Sequence, residues 1–128
     1  MRANPWLETI RSGGTAIGGW ISNSSTINAE VMGTAGFDYV VIDTQHGAID
    51  YSAMLPMLQV LSIGASTPMV RVPSCDSGHI GKALDAGARA VIVPMVKDRA
   101  SCEQALSFTR YAPDGERSYG PTRAVLVE

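Results

Sequence analysis

The chain has 128 residues, enough for one core, since single domains commonly run from about 50 to 250 residues. Hydrophobic residues make up 45% and charged residues 17%, too apolar a balance for a disordered segment, and the net charge of -2 comes without any Lys/Arg cluster that would mark a nucleic-acid or anionic-lipid surface. No apolar run approaches the roughly 18 residues of a membrane span, Pro5 and Glu8 interrupt any secretory signal, and Cys75 and Cys102 lack metal-type spacing and read as reduced thiols, so the expected setting is the cytoplasm and the expected partner a small molecule.

Periodicity and punctuation predict alternating strands and helices. Asn4 caps a short lead-in helix with Pro5 at its first position, Leu7 and Ile10 on one face, and Gly13-Gly14 as its stop. A strand over 15–21, ending near Trp20, precedes a helix capped by Ser24 or Ser25 that runs to Thr34 and stops at Gly36. Tyr39-Val40-Val41-Ile42 is the β-branched, continuously apolar run of a parallel strand buried on both faces. Asp50 then caps a helix with Met54, Met57, Leu58 and Leu61 at helical spacing, its early part bent or loosened by Pro56.

Met69-Val70 forms a third strand closed by Arg71-Val72-Pro73, followed by a helix capped by Asp76, with Ile80, Ala83 and Leu84 inward and Gly87 as terminator. The fourth strand is Ala90-Val91-Ile92-Val93, and Asp98 caps a fourth helix carrying Cys102, Ala105, Leu106 and Thr109 on one face. Beyond Tyr111 the chain reads as loop. Ala35-Gly36 and Ala86-Gly87 occupy equivalent places before the second and fourth strands, so the units are alike.

Four βα units fit an α/β fold of either the doubly wound or the barrel kind. A doubly wound nucleotide fold needs a glycine-rich phosphate turn after its first strand, whereas Gly18-Gly19-Trp20 leads into Ser-Asn-Ser-Ser. The expectation is therefore a single domain over 1–128 that forms the N-terminal half of a (β/α)8 TIM barrel, a fold of about 250 residues, with strand edges that call for a partner.

Barrel chemistry gathers at the C-terminal ends of the strands. Asp43-Thr44-Gln45-His46-Gly47 puts a carboxylate and an imidazole there, three residues apart. Asp43 and His46 can form a catalytic dyad in which the carboxylate orients the ring and the ring acts as general base; a capped loop with a satisfied histidine has the same pattern. Arg71 at the next rim position can hold a carboxylate or an enolate oxygen, or make a structural ion pair. Trp20 can wall a small pocket or simply pack. His79 reads as solvated. Asp85, at a helix end where its charge opposes the dipole, calls for a partner, local or across a subunit interface. The loop over 115–123 bears Arg117 and Arg123, which can close over an anion or lie in a solvated connection.

Taken in order, Gly19-Trp20, then Ala35-Gly36-Phe37-Asp38-Tyr39-Val40-Val41-Ile42-Asp43-Thr44-Gln45-His46-Gly47, then Val70-Arg71, then Asp85-Ala86-Gly87 and Val93-Pro94-Met95-Val96, continuing through Arg110-Tyr111-Ala112-Pro113 and Gly115-Glu116-Arg117, resemble the HpcH/HpaI aldolase family over nearly the whole chain. The resemblance implies a class II pyruvate aldolase, a carbon-carbon lyase. In it a divalent cation (Mg2+, Mn2+ or Co2+) binds the 2-oxo acid, a base removes a methyl proton, and the enolate adds to an aldehyde.

By that resemblance His46 is the base, Asp43 its orienting carboxylate, and Arg71 the contact to the pyruvyl oxygens. Trp20 and Gln45 line the substrate pocket, and Asp85 is lent to the active site of a neighbouring subunit in a homo-oligomer. Many members carry Gly-Glu where this chain has Thr44-Gln45, which removes a negative charge near the base and bears on substrate preference. The metal ligands that the resemblance implies, a glutamate and an aspartate after later strands, fall beyond Glu128, so no metal ligand is expected within the chain. The alternative is a catalytically incomplete half-barrel or assembly module without the metal site; a metal-independent lyase related to citrate lyase β subunits is a third reading.

Overall fold

Every helix that follows a strand begins with backbone N–H groups lacking intrahelical acceptors, and a short polar side chain meets them each time. In the computed structural model, which describes residues 4–127, α1 (Pro5–Arg11) is the lead-in helix capped by Asn4. Ser25 caps α2 (Thr26–Thr34), Asp50 caps α3 (Tyr51–Leu61), Asp76 caps α4 (Ser77–Asp85) and Asp98 caps α5 (Arg99–Ser107). Each cap of this kind stabilises its helix by about 1 kcal/mol.

Four strands alternate with these helices: β1 (Gly18–Ile21), β2 (Tyr39–Asp43), β3 (Thr67–Arg71) and β4 (Ala90–Ile92), all parallel and lying in the order β1-β2-β3-β4. A doubly wound sheet reverses its strand order at a switch point, and this one does not, which resolves the two α/β alternatives in favour of barrel-type winding. Gly36 and Gly87 close α2 and α4 with φ of 89° and 100°, a left-handed turn that a side chain resists, so the two Ala-Gly pairs perform one task at equivalent places.

The core lies between the sheet and α2, α3 and α4. Val40, Val41 and Ile42 are fully buried, as expected of a strand covered on both faces, and Met54, Met57, Leu58 and Leu61 form the buried face of α3. Helix α3 runs through Pro56 without a break. The missing proline N–H would have served the carbonyl of Ser52, which is exposed and can turn to water.

Boundaries differ modestly from the sequence reading. β1 starts at Gly18 rather than Thr15, because the Ile17 N–H donates to the Asp38 carboxylate at 2.7 Å and leaves the ladder. On α5 only Ala105 is buried, while Leu106 and Cys102 are exposed, since the described elements offer nothing to cover that side. A short helix, α6 (Ala124–Val127), lies where the sequence pattern predicts loop, and four residues are too few for periodicity to register.

Leu58→Ala, at a fully buried position, should lower the unfolding free energy by about 2–5 kcal/mol, whereas Leu106→Ala on the open side of α5 should change it by less than about 0.5 kcal/mol. Urea denaturation of both variants checks the contrast.

Candidate active site

Strand register assembles the centre of the site. Asp43 and Arg71 are direct partners at the C-terminal ends of β2 and β3, so the two side chains start from neighbouring points of the rim. Arg71 donates from Nε to Asp43 Oδ1 at 2.9 Å and from Nη2 to Oδ2 at 2.5 Å, the parallel fork that a guanidinium and a carboxylate form best. Trp20, near the end of β1, donates from Nε1 to Asp43 Oδ2 at 3.3 Å and lies with its ring centroid 5.0 Å from the Arg71 guanidinium carbon.

The segment after β2 folds back onto the same carboxylate. Asp43 Oδ1 also accepts the backbone N–H groups of Gln45 (3.0 Å) and His46 (3.1 Å). Thr44 turns the other way: its N–H and its hydroxyl both donate to the Arg71 carbonyl, at 3.0 and 2.7 Å. Gly47 ends the turn where a Cβ would stand 2.2 Å from the Asp43 carbonyl oxygen and 3.1 Å from the Ser22 backbone, and the Ala48 N–H then donates to the Ser22 carbonyl. The exits of β1 and β2 are thereby tied together.

These contacts set the charge state. Asp43 is 2% exposed, and the Arg71 hydrogen bonds hold its carboxyl far below the usual carboxylate range; burial opposes the shift, and the His46, Trp20 and Gln45 donors reinforce it. Arg71 is raised in turn, chiefly by the same pair. Its side chain is 24% exposed, and the remaining N–H groups of the fork have no partner among the described residues. The site therefore presents a fixed cation with free donors, beside a turn that carries the exposed His46 and the half-buried Gln45.

A sequence model described as HpcH/HpaI aldolase/citrate lyase matches residues 16–128. The chain belongs to this family. It is 41% identical over 114 residues to a hydroxypyruvate/pyruvate aldolase of Rhizorhabdus wittichii, covering 89% of this chain and 45% of that protein. Among solved structures, an HpcH/HpaI aldolase/citrate lyase family protein from Burkholderia cenocepacia superposes with a TM-score of 0.89 at 30% identity, over 98% of this chain and 52% of the other. The citrate synthase SbnG superposes with a TM-score of 0.84 at 34% identity, over 93% and 49%. The chain thus spans about half the length of the curated relatives it matches, and its four βα units are those of a family TIM barrel.

Against that family background, the structure departs from the sequence reading at the Asp43–His46 dyad and at the loop arginines, and it gives Asp85 the local one of its two expected kinds of partner. Asp43 meets His46 at the main-chain N–H, where the dyad reading expected the ring, because Arg71 stands directly opposite and takes both carboxylate oxygens. Asp85 has a local partner: Arg117 Nη2 lies 2.6 Å from Oδ1, with the Arg117 side chain 6% exposed and stacked over Tyr111. Arg123 donates to the Ala86 carbonyl and to Ser62 Oγ, tying the C-terminal ends of α3 and α4. Both loop arginines are therefore committed at the end of the sheet away from the rim, and neither closes over a ligand there.

His79 is exposed beside Ser74, as read from the sequence. Thr44 is the site residue whose role the sequence reading missed; a lone hydroxyl after a strand does not reveal that it reaches across to the neighbouring one. Among the described residues no three His, Cys, Asp or Glu side chains come together as a metal-binding group, and no helix is long and apolar enough to cross a membrane.

Asp43 has a depressed pKa when folded, so its stabilisation is complete above the ordinary carboxylate value and declines as pH falls through it. Wild type should exceed Asp43→Asn in stability at neutral pH, and the gap should narrow below about pH 4. Denaturation series from neutral to acid pH for both proteins test this, and a gap independent of pH would contradict it. Gly47→Ala should also lower stability and disturb the rim turn, visible as shifted backbone NMR signals from 43 to 48.

Proposed function

We propose that the intact gene product is a pyruvate-type aldolase, a carbon-carbon lyase that reversibly cleaves a 4-hydroxy-2-oxo acid to pyruvate or a related 2-oxo acid and an aldehyde, with this chain as the N-terminal half of its barrel. The observation that carries the reading is the Arg71 guanidinium, clamped on one edge and open on the other, at the rim beside His46. In the condensing direction, His46 takes a proton from the methyl carbon next to the ketone. The electron pair left behind spreads onto the ketone oxygen, whose negative charge faces the Arg71 donors. The nucleophilic carbon then adds to the aldehyde carbonyl, and the resulting alkoxide is protonated. Cleavage reverses these steps.

Trp20, stacked on Arg71, and Gln45, on the turn after β2, are the residues assigned in this proposal to the wall around a small keto acid. Asp85 enters this proposal as a group presented to the site of a neighbouring subunit in a homo-oligomer while its Oδ1 stays anchored on Arg117. The divalent cation that the resemblance implies has no ligand cluster among the described residues, where Arg71 engages the rim carboxylate; we assign its ligands to the other half of the barrel, where it would help hold the ketone oxygen.

A second reading draws on SbnG: a citrate-synthase type of reaction also joins an enolate to a carbonyl, with a thioester donor and a ketone acceptor. The two are separated by supplying the intact protein with manganese or magnesium and either a 4-hydroxy-2-oxo acid or an acetyl thioester plus oxaloacetate. Release of pyruvate from the first should occur, and His46→Ala should slow it by about 10²- to 10⁴-fold. Equal rates would remove the proposed base. If the 128-residue chain alone shows no turnover while the intact product does, the chain by itself is the catalytically incomplete half-barrel.

A further inference from the structure

Five contacts from two neighbouring strand ends converge on one arginine. The Asp43 carboxylate takes the Nε and Nη2 edge of Arg71, and the Trp20 indole both stacks on the guanidinium and donates to that carboxylate. Thr44 adds two donors to the Arg71 carbonyl, one from the main chain and one from the hydroxyl, so the backbone from which the side chain departs is held as well. The His46 ring takes no part in these bonds; only its N–H does.

We propose that Asp43, Trp20 and Thr44 are positioning residues that act through Arg71, holding its guanidinium in one orientation as the receptor for the negative oxygen of the bound 2-oxo acid, and that Asp43 does not act through the His46 ring. The receptor part of this proposal rests on the aldolase reading; the positioning part does not. A guanidinium that has already surrendered its freedom loses little more on meeting an oxyanion, which is the advantage of preorganised donors. With Nε and one Nη2 hydrogen engaged, the ligand meets the Nη1 end of the fork. Thr44 is specific to this arrangement, because a residue lacking a hydroxyl at this place leaves the Arg71 carbonyl with the main-chain donor alone.

The intact protein, labelled with ¹⁵N-arginine, provides the first measurement. Arg71 should give a sharp Nε–H resonance protected from solvent exchange in wild type, which broadens in Asp43→Asn and Trp20→Phe and moves less in Thr44→Val. Kinetics on a 4-hydroxy-2-oxo acid provide the second. Asp43→Asn should raise KM by about tenfold, the loss of one charge-assisted contact, with the pH dependence of kcat unmoved. As a third, guanidinium ion at millimolar concentration should restore part of the turnover of Arg71→Ala only while Asp43 is retained.

A displaced kcat pH profile with an unchanged KM in Asp43→Asn would assign Asp43 to the His46 ring and overturn the proposal, as would a freely exchanging Arg71 Nε–H in wild type. A protected Nε–H in a protein without activity on the 2-oxo acid supports the positioning part and overturns the receptor part together with the aldolase reading. Where Asp43→Asn fails to fold, Trp20→Phe decides, and an Arg71 Nε–H as sharp and as protected there as in wild type overturns the proposal.

Discussion

A carboxylate buried at the end of a strand is costly unless a cation meets it, and at Asp43 that cation is Arg71 from the strand alongside. Because the two are register partners on β2 and β3, sliding either strand by one residue would separate them and also turn buried valines outward. Sheet register and site geometry are therefore one constraint. Trp20, Thr44, Gln45 and the His46 N–H are arranged around the pair, and the Gly47 turn takes its shape from packing against the exit of β1.

The two ends of the sheet divide the labour. At the C-terminal rim the Arg71 guanidinium is partly solvated and leaves donors unspent, the condition for binding a small anion. At the other end, Arg117 is buried against Asp85 and Tyr111, and Arg123 joins α3 to α4 through Ser62 and the Ala86 carbonyl. Arg123 satisfies a helix-end carbonyl and Arg117 the Asp85 carboxylate. Similar residues are thus committed to ion pairs and helix ends at one face and left with open donors at the other, the face where barrels of this winding place their chemistry.

Membership of the HpcH/HpaI aldolase/citrate lyase family fits this division, and relatives with aldolase and citrate synthase names share the same half of the fold. What joins such reactions chemically is an enolate whose negative oxygen must be held while its carbon reacts. The clamped guanidinium is suited to that shared demand rather than to any one electrophile.

Much of the architecture was legible in the amino-acid order, because the signals are local. Caps at Ser25, Asp50, Asp76 and Asp98, the glycines after α2 and α4, and the apolar run at 40–42 each act within a few residues of themselves, and every one appears where its pattern placed it. The ordered motifs around Trp20, Asp43, His46 and Arg71 likewise revealed the rim residues and the family. Which partner each charge takes was not legible. Asp43 lies three residues from His46 and 28 from Arg71 along the chain, yet strand pairing brings the distant residue face to face and turns the nearer one away. The same holds for Asp85 with Arg117 and for the Thr44 hydroxyl on the Arg71 carbonyl, contacts made only when separate strands and loops are laid side by side.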